Sequence, residues 1–145
     1  MTKNMRFKEQ VRRNAVALIS LVVAITSLGY NTWRNEASEG NRNQRLISIE
    51  LLRNLSQLQQ VVLYRHYDMD ATDRGNPKTG WALVLTIKDL SQVLEQPVPE
   101  TSAELLQVWG DNFEGLGSDD ESRKRIVGAL EAVRADVHAL LRSLD

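Results

Sequence analysis

Cysteine is absent from this 145-residue chain. That excludes a disulfide framework, a thiol nucleophile, a thiolate metal site and a lipobox for lipid attachment. A cysteine-free domain must fold on its hydrophobic core alone, which is compatible with a bacterial periplasm. Glycine and proline are scarce, at eight and three residues. None of the glycines falls into G-x-x-x-x-G-K, G-x-G-x-x-G or G-x-S-x-G, and H-E-x-x-H does not occur either. No stretch alternates apolar and polar residues for long enough to form a useful strand, and there is no internal repeat or low-complexity tract. Neither sign of charge dominates, with 18 basic and 19 acidic side chains. The distribution is uneven, however. The first 14 residues carry five basic groups against one acidic, +4, and residues 34 to 145 carry 13 against 18, or -5. An acidic domain of this kind disfavours nucleic acid, which selects a basic face, and disfavours lying along an anionic membrane surface.

What the chain does have is a run of twenty residues without a charge, from Asn14 to Trp33, between Arg13 and Arg34. At about 1.5 Å of rise per residue, such a helix spans roughly the 30 Å of a bilayer's hydrocarbon core. Its apolar density peaks from Val16 to Ile25. Ser20, Thr26 and Ser27 interrupt it with hydroxyls that can bond back to the helix's own carbonyls. Tyr30 and Trp33 stand where an aromatic belt meets the interface. Lys3, Arg6, Lys8, Arg12 and Arg13 precede the run, opposed only by Glu9. In the fifteen residues after Trp33, three arginines meet two glutamates. The larger basic count stays in the cytoplasm, so the amino terminus is expected there and residues 34–145 across the membrane. Two other readings compete. One is a cleaved signal peptide, with Ser27-Leu28-Gly29 as a small-x-small site, although the uncharged run continues to Trp33. The other is a buried core helix, although this run is apolar nearly all round.

After the anchor, apolar residues recur at helical spacing. No proline or glycine breaks the stretch from Asn41 to Asp73, where Leu51, Leu55, Leu58 and Val62 make a stripe broadened by Ile47, Leu52, Leu63 and Tyr67. The only loosening before it is Ser38-Glu39-Gly40-Asn41, where the membrane helix either continues or bends. Asp68 to Gly80 reads as a turn region. Asn76-Pro77 reads as a cap followed by a first helical position. The second helix is expected to reach about Glu95, with Leu83, Ile87, Leu90 and Leu94 as its stripe and Trp81, Val84 and Val93 alongside, and Gln96-Pro97-Val98-Pro99 ends it. Thr101 with Glu104 forms a capping box for a third helix carrying Leu105, Trp109, Phe113 and Leu116. Gly115 and Gly117 stop that helix. Ser118 with Glu121 forms a second capping box, and the last helix carries a seam of Ile126, Leu130, Val133, Val137, Leu140 and Leu144. The fold class expected is all-α: a cytoplasmic basic tail (1–14), a single transmembrane helix (15–33) and an extracytoplasmic domain (34–145) built as an up-down four-helix bundle.

Candidate sites are few. Asp68, Asp70 and Asp73 form the nearest approach to a metal site, but a calcium loop counted from Asp68 needs Gly sixth and Glu twelfth, where Asp73 and Thr79 stand. The cluster is expected to be a solvated acidic turn, so no metal is assigned. His66 has no second His, Cys or nucleophilic Ser at readable spacing and is expected to face the negative pole of its own helix. His138 shares a solvated face with Glu131, Arg134 and Arg142. Trp81 and Trp109 are expected to anchor the core, and they are also the candidate contacts for a ligand or partner. No catalytic residue and no cofactor is expected. The function that fits is a non-enzymatic, single-pass membrane-anchored interaction or scaffolding module of the bacterial cell envelope, held in the inner (cytoplasmic) membrane. The alternative is a ligand-binding sensory helical bundle, and an enzyme acting on envelope material through Asp and His ranks last. The expected partners are the bilayer through residues 15–33, an unidentified protein and a second copy of the chain through the helix from Asn41 to Asp73; nucleic acid is not among them.

Overall fold

A computed structural model describes residues 13 to 69 and 71 to 144. Among these lie four α-helices, α1 (Ala15–Tyr67), α2 (Pro77–Ser91), α3 (Val98–Asn112) and α4 (Asp120–Ser143), with one 3₁₀ turn at Phe113–Gly115 and no strand. The protein is all-helical, as its patterning predicts. The helix count is one lower than expected, because the apolar run and the first amphipathic segment belong to a single helical element of 53 residues. The helical backbone continues through Ser38, Glu39, Gly40 and Asn41, since one glycine in a helix interior costs only about 1 kcal/mol. By its contacts the chain still divides into two compact units, which part between Gly40 and Asn41.

In the first unit, α1 is one helix long and apolar enough to cross a membrane, and none of its most apolar 18-residue window is buried. Val16 to Glu36 are exposed throughout. Thr26 Oγ1 donates to the Val22 carbonyl at 2.8 Å and Thr32 Oγ1 to the Leu28 carbonyl at 3.0 Å, so both hydroxyls are satisfied within the helix. That is the arrangement a hydrocarbon environment requires of a polar side chain.

The second unit is a helical bundle with a continuous core. Leu51, Leu55, Leu58 and Val62 of α1, Val84 and Ile87 of α2, Val98, Leu105 and Trp109 of α3, and Ile126, Leu130, Val133 and Val137 of α4 are buried together. Polar contacts between helices show how they run. Arg45 Nη2 donates to the Leu144 carbonyl at 3.1 Å, Gln59 Oε1 accepts from Arg134 Nη2 at 2.8 Å, and His66 Nε2 lies 3.6 Å from Asp120 Oδ1. The partners advance along α1 as they retreat along α4. Gln44 Nε2 donates to the Val93 carbonyl, and Tyr64 OH accepts from Arg74 Nη1, so the segment from Arg74 to Val93, which contains α2, retreats as α1 advances.

Several local expectations are corrected. The first amphipathic segment stops at Tyr67, directly before the turn region read from Asp68, and not at Asp73, the far end of the stretch without proline or glycine. Its stripe is narrower than read: Leu63 and Tyr67 are exposed, while Ser48, Asn54 and Val61 are buried. α2 ends at Ser91, not Glu95, and buries Gly80, Val84, Ile87 and Ser91. Its face is rotated toward the small residues, which let neighbouring helices approach, so Leu83 and Leu90 are only half-buried. Pro97 and Pro99 do not merely end the preceding helix; they open α3, which begins at Val98. Proline in a first turn forfeits only an amide that has no helical acceptor. Thr101 therefore lies inside α3, where its hydroxyl donates back to the Pro97 and Val98 carbonyls, and it is not a cap. The cap of α4 is Asp119 rather than Ser118.

Candidate functional site

Trp81 and Trp109 lie together, and the packing between them begins with glycine. A Cβ at Gly80 would clash with Cζ2 and Cη2 of Trp109, so one edge of the indole's six-membered ring lies against the α2 backbone. Trp109 is wholly buried, whereas Trp81 is half-buried beside it. The two rings meet edge to face at 6.5 Å between centroids, and Phe113 touches both, at 5.5 Å from Trp81 and 6.3 Å from Trp109. Edge-to-face aromatic pairs add about 0.5–1.5 kcal/mol beyond their burial. The Trp109 Nε1–H finds no acceptor among the described residues. The cluster ties the start of α2 to the end of α3.

The two described clefts in the second unit are lined by other residues. One, of about 300 Å³, lies between α1 and α2, with Gln57, Gln60, Val61, Tyr64, Arg74 and Leu83 in its walls. The other, of about 360 Å³, is bounded by Gln60, Leu63, Tyr64, Tyr67 and Asp68. Tyr64 stands between the two. The Arg74 guanidinium sits over its ring at 5.2 Å and donates to its hydroxyl at 2.9 Å. This cation–π pairing joins residues ten positions apart across a turn, and no periodic signal in the sequence marks it. Neither cleft brings a carboxylate, a histidine and a nucleophile together.

Asp68 and Asp73 are exposed in the turn between α1 and α2, and Asp70 lies outside the described residues. Among the described residues no group of three His, Cys, Asp or Glu side chains is placed to hold a metal. His66 is largely covered. Instead of facing only its own helix end, its Nε2 points to Asp120 at the start of α4, and its ring meets that of Tyr67 edge-on at 4.8 Å. His138 is exposed, as read. Arg134 is not simply solvated. It is half-buried and bridges α4 to α1 through Gln59.

The beginning of α4 is strongly polarised. Asp119 accepts from the Glu121 and Ser122 amides at 3.1 and 3.0 Å and from the Ser122 hydroxyl at 2.6 Å. The Ser122 hydroxyl, then the two amides, hold its carboxyl below its ordinary pKa. Asp120 is likewise lowered by Arg123 and Lys124, which bond to it at 2.7 and 3.0 Å. Gly117, at φ 102°, makes the turn before this cap, and a side chain there would crowd the Arg65 carbonyl. These groups stabilise a helix start and a turn rather than assembling reactive chemistry.

Comparison of the chain with protein families, with curated proteins and with solved structures returns no match.

Proposed function

We propose that this protein is a single-pass membrane-anchored helical interaction module of the bacterial cell envelope. One observation carries the reading: an uncharged helical run of spanning length, every described side chain of which from Val16 to Trp33 is exposed to whatever surrounds it. Water does not tolerate that surface at low cost, since each exposed Leu, Ile or Val withholds about 1.5–3 kcal/mol of burial. A bilayer solvates it. The basic excess before Asn14 puts the amino terminus in the cytoplasm, and residues 34–145 lie on the other side as an up-down four-helix bundle. The opposed contacts of α1 with α2 and with α4 support that order. A scaffolding role follows from an anchored helical unit whose polar clusters cap and tie helices. The experiment is fractionation with alkaline carbonate, together with a reporter fused after Asp145. The protein is expected in the carbonate-resistant pellet with a reporter active only outside the cytoplasm. Release into the supernatant, or activity of a cytoplasm-only reporter, overturns the reading.

A second reading is favoured by the cleft at Tyr64 and Arg74: a sensory bundle holding a small ligand between α1 and α2. Its volume, about 300 Å³, is at the lower end for a ligand pocket. Saturable binding of a small molecule that Tyr64→Ala abolishes would favour it over the interaction module.

A further inference from the structure

Within the second unit, α1 has two seams of the same period. One is buried against the bundle and runs through Leu51, Leu55, Leu58 and Val62. The other faces outward. Leu46, Ile49, Arg53, Ser56, Gln60, Leu63 and Tyr67 are all exposed and succeed one another at alternating steps of three and four. This second seam extends over roughly 30 Å of helix at 1.5 Å per residue, whereas the first belongs to one core cluster with the buried residues of α2, α3 and α4. Four of its seven residues are large and apolar, with Leu46, Ile49 and Tyr67 more than half exposed, at 56, 53 and 66 %. An unbroken alternation of three and four is the spacing by which helices pack side by side, with successive positions a and d of a heptad.

We infer that this face is the contact between two copies of the chain, paired in parallel. The inference rests on the anchoring proposed above, because a shared membrane presents both copies with the same end of α1 toward the bilayer. The charges flanking the seam select such a pairing. With Leu46 at a and Ile49 at d, Arg45 occupies g and Glu50 occupies e. In a parallel pair each g residue meets the e residue five positions on in the other helix, so Arg45 meets Glu50 of the second copy, and two-fold symmetry repeats the contact. Within its own chain Arg45 also donates to the Leu144 carbonyl, and Glu50 pairs with Arg53 at 3.4 Å and accepts from Asn54 at 3.3 Å; a guanidinium has five N–H donors and a carboxylate about four acceptor sites to share. Arg53, Ser56 and Gln60 interrupt the apolar ends of the seam. Polar residues at such positions fix register and partner number while lowering stability. The seam is therefore a weak one, and confinement in the membrane, which raises effective concentration, makes it sufficient. In the apolar unit, taken by itself, Leu18, Leu21, Ile25 and Leu28 repeat the three-four alternation on exposed positions.

Because the chain has no native cysteine, the test can be made on the full-length protein in membranes. Single cysteines are placed on the seam as Ile49→Cys and Ser56→Cys, and away from it at exposed positions as Thr86→Cys and Ala139→Cys. Gentle oxidation is expected to give at least ten times more disulfide-linked dimer from the seam positions than from the others. Adding Leu46→Asp to Ser56→Cys is expected to cut the dimer several-fold while leaving the helical spectrum and melting of the chain unchanged, since Leu46 is exposed. Arg45→Glu is expected to weaken cross-linking and the double exchange Arg45→Glu with Glu50→Arg to restore it. Equal cross-linking at all four positions would report collision and overturn the inference. So would an adduct of unlike mass, which would assign the face to a different protein. Carbonate extraction of the same membranes separates two failures. A carbonate-resistant chain that does not cross-link on the seam refutes the pairing alone. A chain released by carbonate refutes the anchoring and the pairing with it.

Discussion

Two glycine-to-alanine substitutions in helices are expected to change stability in opposite directions, and the difference tests how the aromatic cluster is packed. In isolation, alanine stabilises a helix interior over glycine by about 1 kcal/mol, through lower backbone entropy in the unfolded chain and better propensity. At Gly128, in α4, no atom lies within 4 Å of the position a Cβ would take. The whole gain is then available, and Gly128→Ala is expected to stabilise the second unit by up to about 1 kcal/mol. At Gly80 the same methyl would overlap the six-membered ring of Trp109. Trp109 is completely buried, so its indole cannot swing into solvent, and the α2 backbone must withdraw or the ring must leave its rotamer. Overpacking of this kind costs about 1–3 kcal/mol or more. Withdrawal would also loosen the contacts that Trp81 and Phe113 make with the cluster. The methyl's helix gain offsets only part of this, so Gly80→Ala is expected to destabilise by about 1–2 kcal/mol net. For a unit near 100 residues, 1 kcal/mol moves the melting temperature by about 4 °C or more. The two variants should therefore melt several degrees apart, on opposite sides of the parent. Urea unfolding of residues 41–145, which carry the entire buried core, provides the free energies, with Trp fluorescence as a second probe. If Gly80→Ala raised stability as much as Gly128→Ala, Trp109 would not lie against α2 and the packing argument would fail.

The fragment 41–145 itself is expected to be soluble and strongly helical without the apolar segment, and a circular dichroism spectrum dominated by strand or coil would refute the bundle. Leu130→Asp should destabilise it by several kcal/mol, because the residue is fully buried in the α4 seam and an unpaired carboxylate has no partner there. Arg134→Asp should cost about 1–2 kcal/mol, from the loss of the interhelical hydrogen bond to Gln59 and of the half-exposed pairing with Glu131; equal melting temperatures for the two variants would show the seam misassigned. Asp119 sets a pH dependence. Its carboxyl is held below its ordinary pKa in the folded chain, so its contribution to stability is complete above about pH 4 and is lost as the pH falls through its lowered value. Asp119→Asn should flatten the acid limb of the stability profile, and an unchanged limb would contradict the cap.

The elements legible in the sequence were those set by local chemistry. Asn76 followed by proline starts α2 as read: its side chain accepts from the Lys78 amide at 2.9 Å, and nothing beyond the first turn is needed. The α4 seam was legible for a related reason, because its apolar residues occupy one narrow face and its other faces are charged. The prolines at 97 and 99 are ambiguous in the sequence because proline forbids a helix interior yet favours a first turn, and only the position of the next core residue, Val98, distinguishes the two. Ser118 and Asp119 are adjacent and both cap well; Asp119 prevails with three hydrogen bonds, two of them from amides of the first turn. The sequence carries a corresponding signal for the site. Gly80 directly before Trp81 marks a close approach of another group to the α2 backbone, and that group is Trp109. No comparable mark exists for Tyr64 with Arg74 or Gln59 with Arg134. Those are polar contacts whose partners are chosen by the fold.

α1 shows most clearly what periodicity can and cannot decide. Between Leu46 and Tyr67 the helix has apolar residues on two faces, and each face by itself satisfies the four-three count. A bundle with four helices can bury only one of them. The choice fell on the face with Leu51, Leu55, Leu58 and Val62, which has only Ser48 and Asn54 as buried polar neighbours. The other face is divided by Arg53 and Gln60, whose long side chains keep their polar ends in water. Burying that face in the core of a single chain would have taken the Arg53 guanidinium, and the Glu50 carboxylate 3.4 Å from it, out of water, a desolvation cost of several kcal/mol set against the gain from Leu46, Ile49 and Leu63. In a two-stranded seam Arg53 stands at an a position, where its long side chain can carry the guanidinium outward past the contact and keep it hydrated, at a cost in pairing stability. The arginine that disqualifies the outer face as a core is therefore compatible with a weak helix–helix interface, and the division of α1 into an inner and an outer seam follows from where that one charge can stay wet.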